Sequence, residues 1–458
     1  MTTSRRSFLK HSAVLFGTAS VSPYIFSSAQ PAQAQEASDR LRVGAIGLGG
    51  QGRADADQFA NLGCDVVAIC DVDSARIDIA RKDHKAINQL NPDGYKDYRR
   101  VLDRKDIDII TIGTVDHWHV KIAIEALMAG KHVHVQKPFT LTVAEGQAVR
   151  AALKKYPKLF CQVGTQQRYQ RYEFATAAIM VRKGMLGDIK KMVVDIGGSP
   201  KGGPFAKTAP PESLDWDFWQ GQCKPVDYIK ERCHGDFRWW VEYSGGKFTD
   251  WGAHHIDFAH WALNLEEFGQ GPSRLTPVTV TNPVEYKDGY PMVDDCYNCC
   301  QDFEINCVMP GDIEMVVCSR SRDGGGILVE GTKGRIHVNR ERIKGAPFEN
   351  MSPDAIQEED FLSLAHGNPI EVPRETGAYV NPWQKGNFIK CIRDGKGLPV
   401  SDGLSHIQMM QTCHLCGIVA RLGREIKWDP KTETIIGDAQ AASFLAREQR
   451  KGFEIPAV

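Results

Sequence analysis

A glycine-rich turn near the start of the chain constrains its fold more strongly than any other feature. An apolar run at residues 41–48 leads into Gly47, Gly49 and Gly52, which form a G-x-G-x-x-G pattern, and a helical segment follows. A second apolar run, at residues 65–70, ends in Asp71, about twenty residues further on. This order of strand, glycine turn, helix and acidic residue predicts a dinucleotide-binding βαβ unit.

Each glycine of the turn has a physical reason to be there. Gly47 permits the tight turn, Gly49 lets the backbone reach a pyrophosphate, and Gly52 lets the helix pack against the strand. The helix N-terminus, which includes Gly50, faces the phosphates because its N–H groups and its dipole favour negative charge. We therefore predict that Gly47, Gly49, Gly50 and Gly52 bind a nicotinamide dinucleotide.

Asp71 bears on which dinucleotide is bound. At the end of the second strand its carboxylate would accept hydrogen bonds from the adenosine ribose hydroxyls and repel a 2'-phosphate, which favours NAD. Arg76 is near enough in sequence to leave NADP possible.

Strands and helices then alternate as far as residue 165. The predicted strands cover residues 107–112, 132–135 and 160–163, and the helices between them cover residues 75–87, 119–129 and 144–156. Strands separated by helices of this length indicate a doubly wound parallel sheet, so residues 40–165 are predicted to form a nucleotide-binding domain. Ligands bind where such strands end, so five further cofactor contacts are predicted at or just beyond strand ends: Thr114, His117, Gln136, Lys137 and Gln166.

After residue 170 the pattern changes. Short alternating runs fill residues 278–338 without helices between them, which predicts an open, mainly antiparallel sheet. Residues 383–393 and 405–422 are predicted helices. The chain is therefore expected to be an α/β protein whose second domain covers residues 166–458.

The segment 244–264 is a candidate site for acid-base chemistry. On a helix that starts at Asp250, Asp250, His254, Asp257 and Trp261 share one face, because residues three or four apart are neighbours there. Two carboxylates and an imidazole on one surface suit proton transfer. The alternative is that Asp250 caps the helix, Asp257 is solvated and the histidines pack.

The first 34 residues have the pattern of an export signal. Arg5 and Arg6 precede a mildly apolar stretch and then a small-residue site, Ala32-Gln33-Ala34. This predicts twin-arginine export to the periplasm or beyond, without a stable membrane anchor. The formal net charge of -1 offers no broad attraction to nucleic acid.

The thirteen cysteines follow no regular disulfide spacing. Twin-arginine export moves folded proteins, so most thiols are predicted to be free and buried. Cys413 and Cys416 have C-x-x-C spacing in a predicted helix, but no second ligand pair stands at zinc-site distance, so no metal is expected.

Three motifs together resemble the Gfo/Idh/MocA family, in particular its exported branch. These are the glycine fingerprint, Lys137-Pro138 at a strand end, and the D-x-G-x-H-x-x-D run from Asp250 to Asp257. The resemblance implies a Rossmann domain followed by an α/β domain whose large open sheet often forms subunit interfaces, and hence a homo-oligomer. It also implies that Lys137 hydrogen-bonds the reacting hydroxyl and works with Asp250 and His254.

The chain departs from the family pattern at one position beside this lysine. Family members usually carry Glu-Lys-Pro where this chain has Gln136-Lys137-Pro138. The exchange removes a charge next to Lys137.

The chemistry of sugar oxidation fits these residues. Histidine accepts protons near neutral pH, so His254 is the predicted base, and Asp250 could fix its tautomer. His255 is expected to pack, although it remains a second candidate for the base. We assign substrate contacts to Arg168, Arg232, His234, Arg238, His255 and Asp257. The tryptophans near Arg232 and Arg238 belong either to a sugar site or to an ordinary core.

Three functions are compatible with this sequence. The first is an oxidoreductase that acts on a sugar, polyol or glycoside hydroxyl with tightly held NAD, because free cofactor is scarce outside the cytoplasm. The second is redox-neutral glycoside cleavage through transient oxidation, elimination and re-reduction. The third is a silent binding protein, which the joint presence of Lys137, Asp250 and His254 disfavours.

Overall fold

The first half of the chain forms a parallel sheet in a computed structural model that describes residues 40–83, 89–367 and 382–458. The strands are β1 (Arg42–Ile46), β2 (Asp65–Cys70), β3 (Asp93–Tyr95), β4 (Ile109–Ile112), β5 (His132–Val135) and β6 (Cys161–Val163). Their order is β3-β2-β1-β4-β5-β6, and neighbouring strands are parallel. This order confirms the predicted doubly wound sheet.

Helices cover both faces of this sheet, which explains why its central strands are largely apolar and buried. Val66, Ile109 and Val133 are fully buried, as expected for parallel strands enclosed on two sides. The helices are α1 (Gly50–Asn61), α2 (Ser74–Asp83), α3 (Arg99–Leu102), α4 (His119–Met128) and α5 (Val143–Lys155).

The second half forms a nine-stranded sheet in the order β15-β14-β13-β7-β12-β11-β8-β16-β17. Most neighbours are antiparallel, but β7 and β12 run parallel, so the predicted open and mainly antiparallel sheet is confirmed. The strands of this half, including the small hairpin β9–β10, are β7 (Ile189–Asp195), β8 (Arg274–Thr281), β9 (Tyr286–Lys287), β10 (Tyr290–Pro291), β11 (Asp302–Met309), β12 (Ile313–Cys318), β13 (Gly326–Gly331), β14 (Gly334–Val338), β15 (Ile343–Lys344), β16 (Ile426–Asp429) and β17 (Thr434–Ile435).

Helices of the second half pack on both sheets. They are α6 (Thr176–Arg182), α7 (Trp216–Gln220), α8 (Lys247–Asp250), α9 (Gly252–Ala262), α10 (Glu358–Leu364), α11 (Pro382–Asp394), α12 (Gly403–Leu422) and α13 (Ala439–Ser443). Phe388 of α11 meets Phe59 of α1 edge to face at 6.4 Å, and Ile407 of α12 joins the core around β5. The C-terminal helices therefore complete the core of the first sheet.

The cysteines behave as predicted. All thirteen lie within the described residues and are free, and twelve are buried. Within the described ranges, no helix is long and apolar enough to cross a membrane. The predicted signal at residues 1–34 lies outside the described residues.

Arg168 and Asp257, two predicted substrate contacts, instead form a buried ion pair. The Nε and Nη2 atoms of Arg168 donate to the two carboxylate oxygens of Asp257 at 2.8 and 2.7 Å, and Nη1 donates to Glu266 at 2.7 Å. Both side chains of the pair are 1% exposed. Burial disfavours the guanidinium charge, but attraction to Asp257 and Glu266 outweighs it and raises the pKa of Arg168. The pair holds α9 against the segment after β6 and lies outside the candidate ligand-binding cleft described below.

This pair predicts a large loss of stability on substitution. Asp257→Asn removes one charge and leaves Arg168 incompletely compensated in the interior, which costs about 3–5 kcal/mol of unfolding free energy. Asp360→Asn is the matched control, because its partner Lys183 is 39% exposed; it is expected to cost about 0–1 kcal/mol. Denaturant unfolding measures both, and equal losses would contradict the structural role.

Candidate active site

A single large cleft contains most of the predicted cofactor residues. Its volume is about 1400 Å³, and it extends from the glycine turn after β1 to the start of α9. It therefore has room for a dinucleotide and a second ligand. Gly47, Gly49, Gly50, Asp71, Thr114, Gln136, Lys137, Gln166, His234, Arg238, His254 and His255 all line it.

The glycine turn has the geometry that a pyrophosphate requires. Gly47 has a φ of +84°, and a Cβ there would lie 2.4 Å from the Thr114 nitrogen. A Cβ on Gly52 would lie 1.9 Å from the Gly47 carbonyl oxygen, so α1 packs on this turn only through glycine. A Cβ on Gly49 or Gly50 would meet nothing within 4 Å, which leaves the helix N-terminus open to a ligand.

Asp71 lies at the edge of the cleft and is held by backbone groups. Its Oδ2 accepts from the Leu48 N–H at 2.7 Å, and its Oδ1 accepts from the Asp73 N–H at 2.9 Å. Arg76 and His234 line the same end of the cleft. His234 lies 3.5 Å from Asp73, so this predicted substrate residue stands beside Asp71 at the cofactor end.

The segment after β4 contributes two groups to the cleft. One is the hydroxyl of Thr114, a predicted cofactor contact, and the other is His119, which was not predicted as one. Thr114 lines the cleft, and its Oγ1 is buried without a hydrogen-bond partner among the described residues. Such an atom is ready to meet a bound cofactor. His119 also lines the cleft and donates from one ring nitrogen, with Nδ1 2.7 Å from the Pro138 oxygen.

His117, a predicted cofactor contact, lies elsewhere. Its Nε2 lies 2.9 Å from the Trp219 carbonyl oxygen, and its ring packs against Trp219 and Tyr243. Burial lowers the pKa of His117 to about 3. The single turn Asp116–Trp118 before α4 directs His117 into the core and leaves the cleft to its neighbours.

The Gln136 side chain has a structural reason to be uncharged. Its Nε2 donates to Asp55 Oδ2 at 2.7 Å, and Lys385 of α11 donates to Asp55 Oδ1 at 2.8 Å. Asp55 is fully buried. Burial raises the pKa of Asp55, but Lys385 outweighs it and keeps that pKa below the usual value. A glutamate at position 136 would face this carboxylate directly.

Lys137 and Asp250 form the central ion pair of the cleft. The Lys137 Nζ donates to Asp250 Oδ1 at 2.6 Å and to the Asp250 carbonyl oxygen at 3.0 Å. Burial raises the pKa of Asp250, but Lys137, Arg238 and Lys247 outweigh it and lower that pKa, so the carboxyl is ionised. The ammonium is thus held at two points with its third N–H left for a ligand.

The helix expected to start at Asp250 is in fact two helices. Asp250 ends α8 and α9 begins at Gly252, with only Trp251, whose backbone is also right-handed helical, between them. The Asp250 carboxylate accepts from Lys137, and Asp257 pairs with Arg168 in the core. Among the described residues Asp250 makes no hydrogen bond to His254, so the proposed fixing of the His254 tautomer by Asp250 stays a prediction.

Both candidate base histidines lie in the cleft wall. The Nδ1 of His254 is buried without a hydrogen-bond partner within the described residues, so Nε2 is the nitrogen that can meet a ligand. Burial and the nearby Lys137 charge hold the pKa of His254 well below its usual value. His255 donates from Nδ1 to the Asp195 carbonyl oxygen at 2.8 Å, and burial lowers its pKa to about 4. Both rings are neutral at neutral pH.

The aromatic segment before α8 divides between core and cleft. Arg232 is 1% exposed and stacks on Trp240 at 4.3 Å, and its Nη2 donates to the Asp294 carbonyl oxygen. It therefore belongs to an ordinary core and does not line the cleft. Arg238 lines the cleft with its Nε 3.5 Å from Asp250 Oδ1, so only this arginine of the segment is placed for a ligand.

The strand order, the open glycine turn and the unpartnered Thr114 hydroxyl indicate a dinucleotide-binding domain. Comparison with known families agrees. Residues 41–165 match an oxidoreductase family model described as an NAD-binding Rossmann fold, and residues 202–340 match the C-terminal alpha/beta domain of the same family. The chain belongs to the Gfo/Idh/MocA family of NAD(P)-dependent oxidoreductases.

The curated relatives of this chain include glycosyl hydrolase family 109 proteins. A glycosyl hydrolase family 109 protein of Shewanella sp. (strain W3-18-1) is 36% identical over 156 residues, which are 33% of this chain and 34% of that protein. The chain thus spans about a third of the length of the curated relatives it matches.

Solved structures share the fold at low identity. The WlbA dehydrogenase of Bordetella pertussis, solved with NADH and UDP-GlcNAcA, has a TM-score of 0.57 at 17% identity and covers 85% of this chain and 98% of its own. The myo-inositol 2-dehydrogenase of Lactobacillus plantarum has a TM-score of 0.55 at 19% identity, covering 85% and 99%.

The Gln136 contact predicts a compensated exchange. Gln136→Glu restores the usual family residue but places a second carboxylate against Asp55, so it should lower the free energy of unfolding by at least about 1 kcal/mol. Asp55→Asn in the same chain moves the charge across the contact and should recover part of this loss. Denaturant unfolding of both single variants and the double variant tests it, and strictly additive losses would exclude the coupling.

Proposed function

We propose that the protein oxidises a hydroxyl-bearing carbon of a sugar, polyol or glycoside with a tightly held nicotinamide cofactor. The observation that carries this proposal is the Lys137–Asp250 ion pair, whose lysine lines the cleft shared with the glycine turn. A fixed cation beside a nicotinamide site is what a reacting hydroxyl requires. Nicotinamide, when bound, supplies the hydride acceptor.

Lys137, Asp250 and His254 each have a separate role in the proposed oxidation. Lys137 points its free N–H at the substrate oxygen and stabilises the negative charge that develops there. Asp250 fixes the ammonium in place and offsets its charge. His254 accepts the hydroxyl proton at Nε2, because its lowered pKa keeps the ring unprotonated at neutral pH.

Several features support a sugar-like substrate. The relatives named above act on or bind carbohydrate derivatives. In this chain, Arg238 and Lys247 supply hydrogen-bond donors in the cleft, and Trp251 supplies an aromatic face there. Planar donors together with a ring are the usual means of holding a polyhydroxylated ligand.

Tight cofactor retention follows from the predicted export. A protein folded around NAD before export has little free cofactor to exchange with afterwards, so the nucleotide is regenerated within each cycle. The twin-arginine signal at residues 1–34 supports a periplasmic or secreted location. The nine-stranded sheet is the surface through which we expect copies of the chain to associate.

Redox-neutral glycoside cleavage is the second candidate. It needs the same hydride and proton apparatus, and the similarity to glycosyl hydrolase family 109 proteins favours it. Purified protein incubated with free sugars and with glycosides distinguishes the two candidates. Net reduction of the bound nucleotide supports the first, whereas released sugar without net reduction supports the second.

Lys137→Ala tests the assigned role directly. The substitution removes the donor to the substrate oxygen but leaves the glycine turn intact, so nucleotide should stay bound while turnover falls by about 10²–10³-fold. Lys207→Ala is the control, because Lys207 is 45% exposed and pairs with surface carboxylates. Nucleotide content and turnover are measured on the same samples, and unchanged turnover in Lys137→Ala would refute the assignment.

A further inference from the structure

Asp116 is a buried carboxyl of the cleft that the proposed oxidation does not use. It follows β4, lines the cleft and is 6% exposed. Ser244 Oγ donates to its Oδ2 at 2.7 Å, and its Oδ1 has no hydrogen-bond partner among the described residues. A carboxyl with one hydrogen bond and no ion pair is unusual in a protein interior.

The surroundings of Asp116 differ from those of Asp250. Asp250 has Lys137 at 2.6 Å and Arg238 at 3.5 Å, whereas no cation of the described residues lies within ion-pair distance of Asp116. Arg238, Lys137 and Asp250 are charged groups that act on Asp116 from neighbouring elements, and Asp116 in turn acts on the buried Cys299 thiol in the loop before β11. Asp116 and Asp250 are therefore in unlike environments.

These environments separate the protonation states. Burial raises the pKa of Asp116 to about 7, although Arg238, Ser244 and Lys137 oppose it. Asp250 stays ionised, with a lowered pKa. Paired carboxyls with opposite shifts are the arrangement in which one can give a proton while the other holds charge.

We propose that Asp116 is a further catalytic residue, the acid that protonates the departing oxygen of a glycoside. The inference rests on the proposed function, because it requires a substrate carbon already oxidised to a carbonyl. Net oxidation of a free sugar needs one proton acceptor and no such donor. Asp116 is a second group that holds a proton in the cleft, so it indicates that the substrates are glycosides, whose leaving oxygen needs that proton.

The step balances in atoms and charge. A base takes the proton from the carbon beside the carbonyl, and the electron pair of that C–H bond forms a C=C bond. The C–O bond to the leaving group breaks, its electron pair goes to the oxygen, and that oxygen takes the Asp116 proton. Water then adds: its hydroxyl bonds to the same carbon, its proton returns to Asp116, and the base returns its proton to the neighbouring carbon.

The test compares leaving groups on the intact, nucleotide-loaded protein. Alkyl glycosides need an acid at the departing oxygen, whereas 4-nitrophenyl glycosides depart as a stable anion. Asp116→Asn should lose about 10²-fold or more on alkyl glycosides and much less on 4-nitrophenyl glycosides. Equal losses on both, or no cleavage of any glycoside by the unaltered protein, would overturn the proposal. In the second case, oxidation of free sugars would show that the proposed oxidoreductase function still holds.

The pH dependence gives a second readout. Because Asp116 must be protonated, kcat/KM for alkyl glycosides should fall as pH rises through about 7. Ser244→Ala removes a hydrogen bond that stabilises the ionised form, so it should move this fall to higher pH. Asp116→Asn should abolish it. A fall that is the same in all three proteins would overturn the assignment even if Asp116→Asn were poorly folded.

Discussion

The ion pair between Lys137 and Asp250 is the interaction on which the site depends. Lys137 follows the fifth strand of the nucleotide-binding sheet, and Asp250 ends a short helix 113 residues later. Each side chain is 14% exposed, so loss of either partner would leave a largely buried charge without compensation. The pair therefore fixes where the second half of the chain meets the nicotinamide end of the cleft. It also sets the charge that a substrate oxygen encounters there.

Other buried charges are neutralised by partners of their own. Arg168 is paired with Asp257 and Glu266, and Lys385 is paired with Asp55. The first pair holds α9 against the segment after β6, and the second holds α11 against α1. In the cleft itself Lys137 is paired with Asp250, the His254 and His255 imidazoles are neutral, and the Asp116 carboxyl lies near the cations Arg238 and Lys137. Unlike protonation states within one cleft follow from burial and from how many cations each carboxyl contacts.

The sequence predicts the fold well because its signals are local and periodic. The glycine fingerprint and the alternation of strands and helices determine the first sheet, and the short alternating runs indicate the second. The missed strands are β3, β15, β16 and β17, which are two to four residues long, too short to show a period. The packing of Phe388 and Ile407 on the first sheet is also invisible in the sequence, because it joins segments more than 200 residues apart.

Site residues were predictable where the residue type alone indicates a role. They were unpredictable where contacts with distant side chains determine where the side chain lies. Gly47, Gly49, Gly50, Thr114, Gln136, Lys137 and His254 lie in the cleft as predicted, and Gly52 packs α1 on the turn. Arg168, Arg232, His117 and Asp257 do not line the cleft, because each has a partner in the core. Asp250 is bonded to Lys137, 113 residues away in the sequence, which a helical period cannot reveal. Asp116 belongs to no sequence motif. Its raised pKa depends on its burial and on the lack of an ion-pair partner among the described residues.

Isotope transfer tests the central claim most directly. The protein, loaded with NAD, is mixed with sugars and glycosides that carry deuterium on their carbinol carbons, the reaction is quenched by denaturation at times within the first turnover, and the released nucleotide is analysed by mass spectrometry. If the Lys137–Asp250 pair positions a hydroxyl for hydride transfer, deuterium appears in the nucleotide during that turnover, before the cofactor is regenerated. Conversion of substrate with no deuterium in the nucleotide at any time within the turnover would contradict the account.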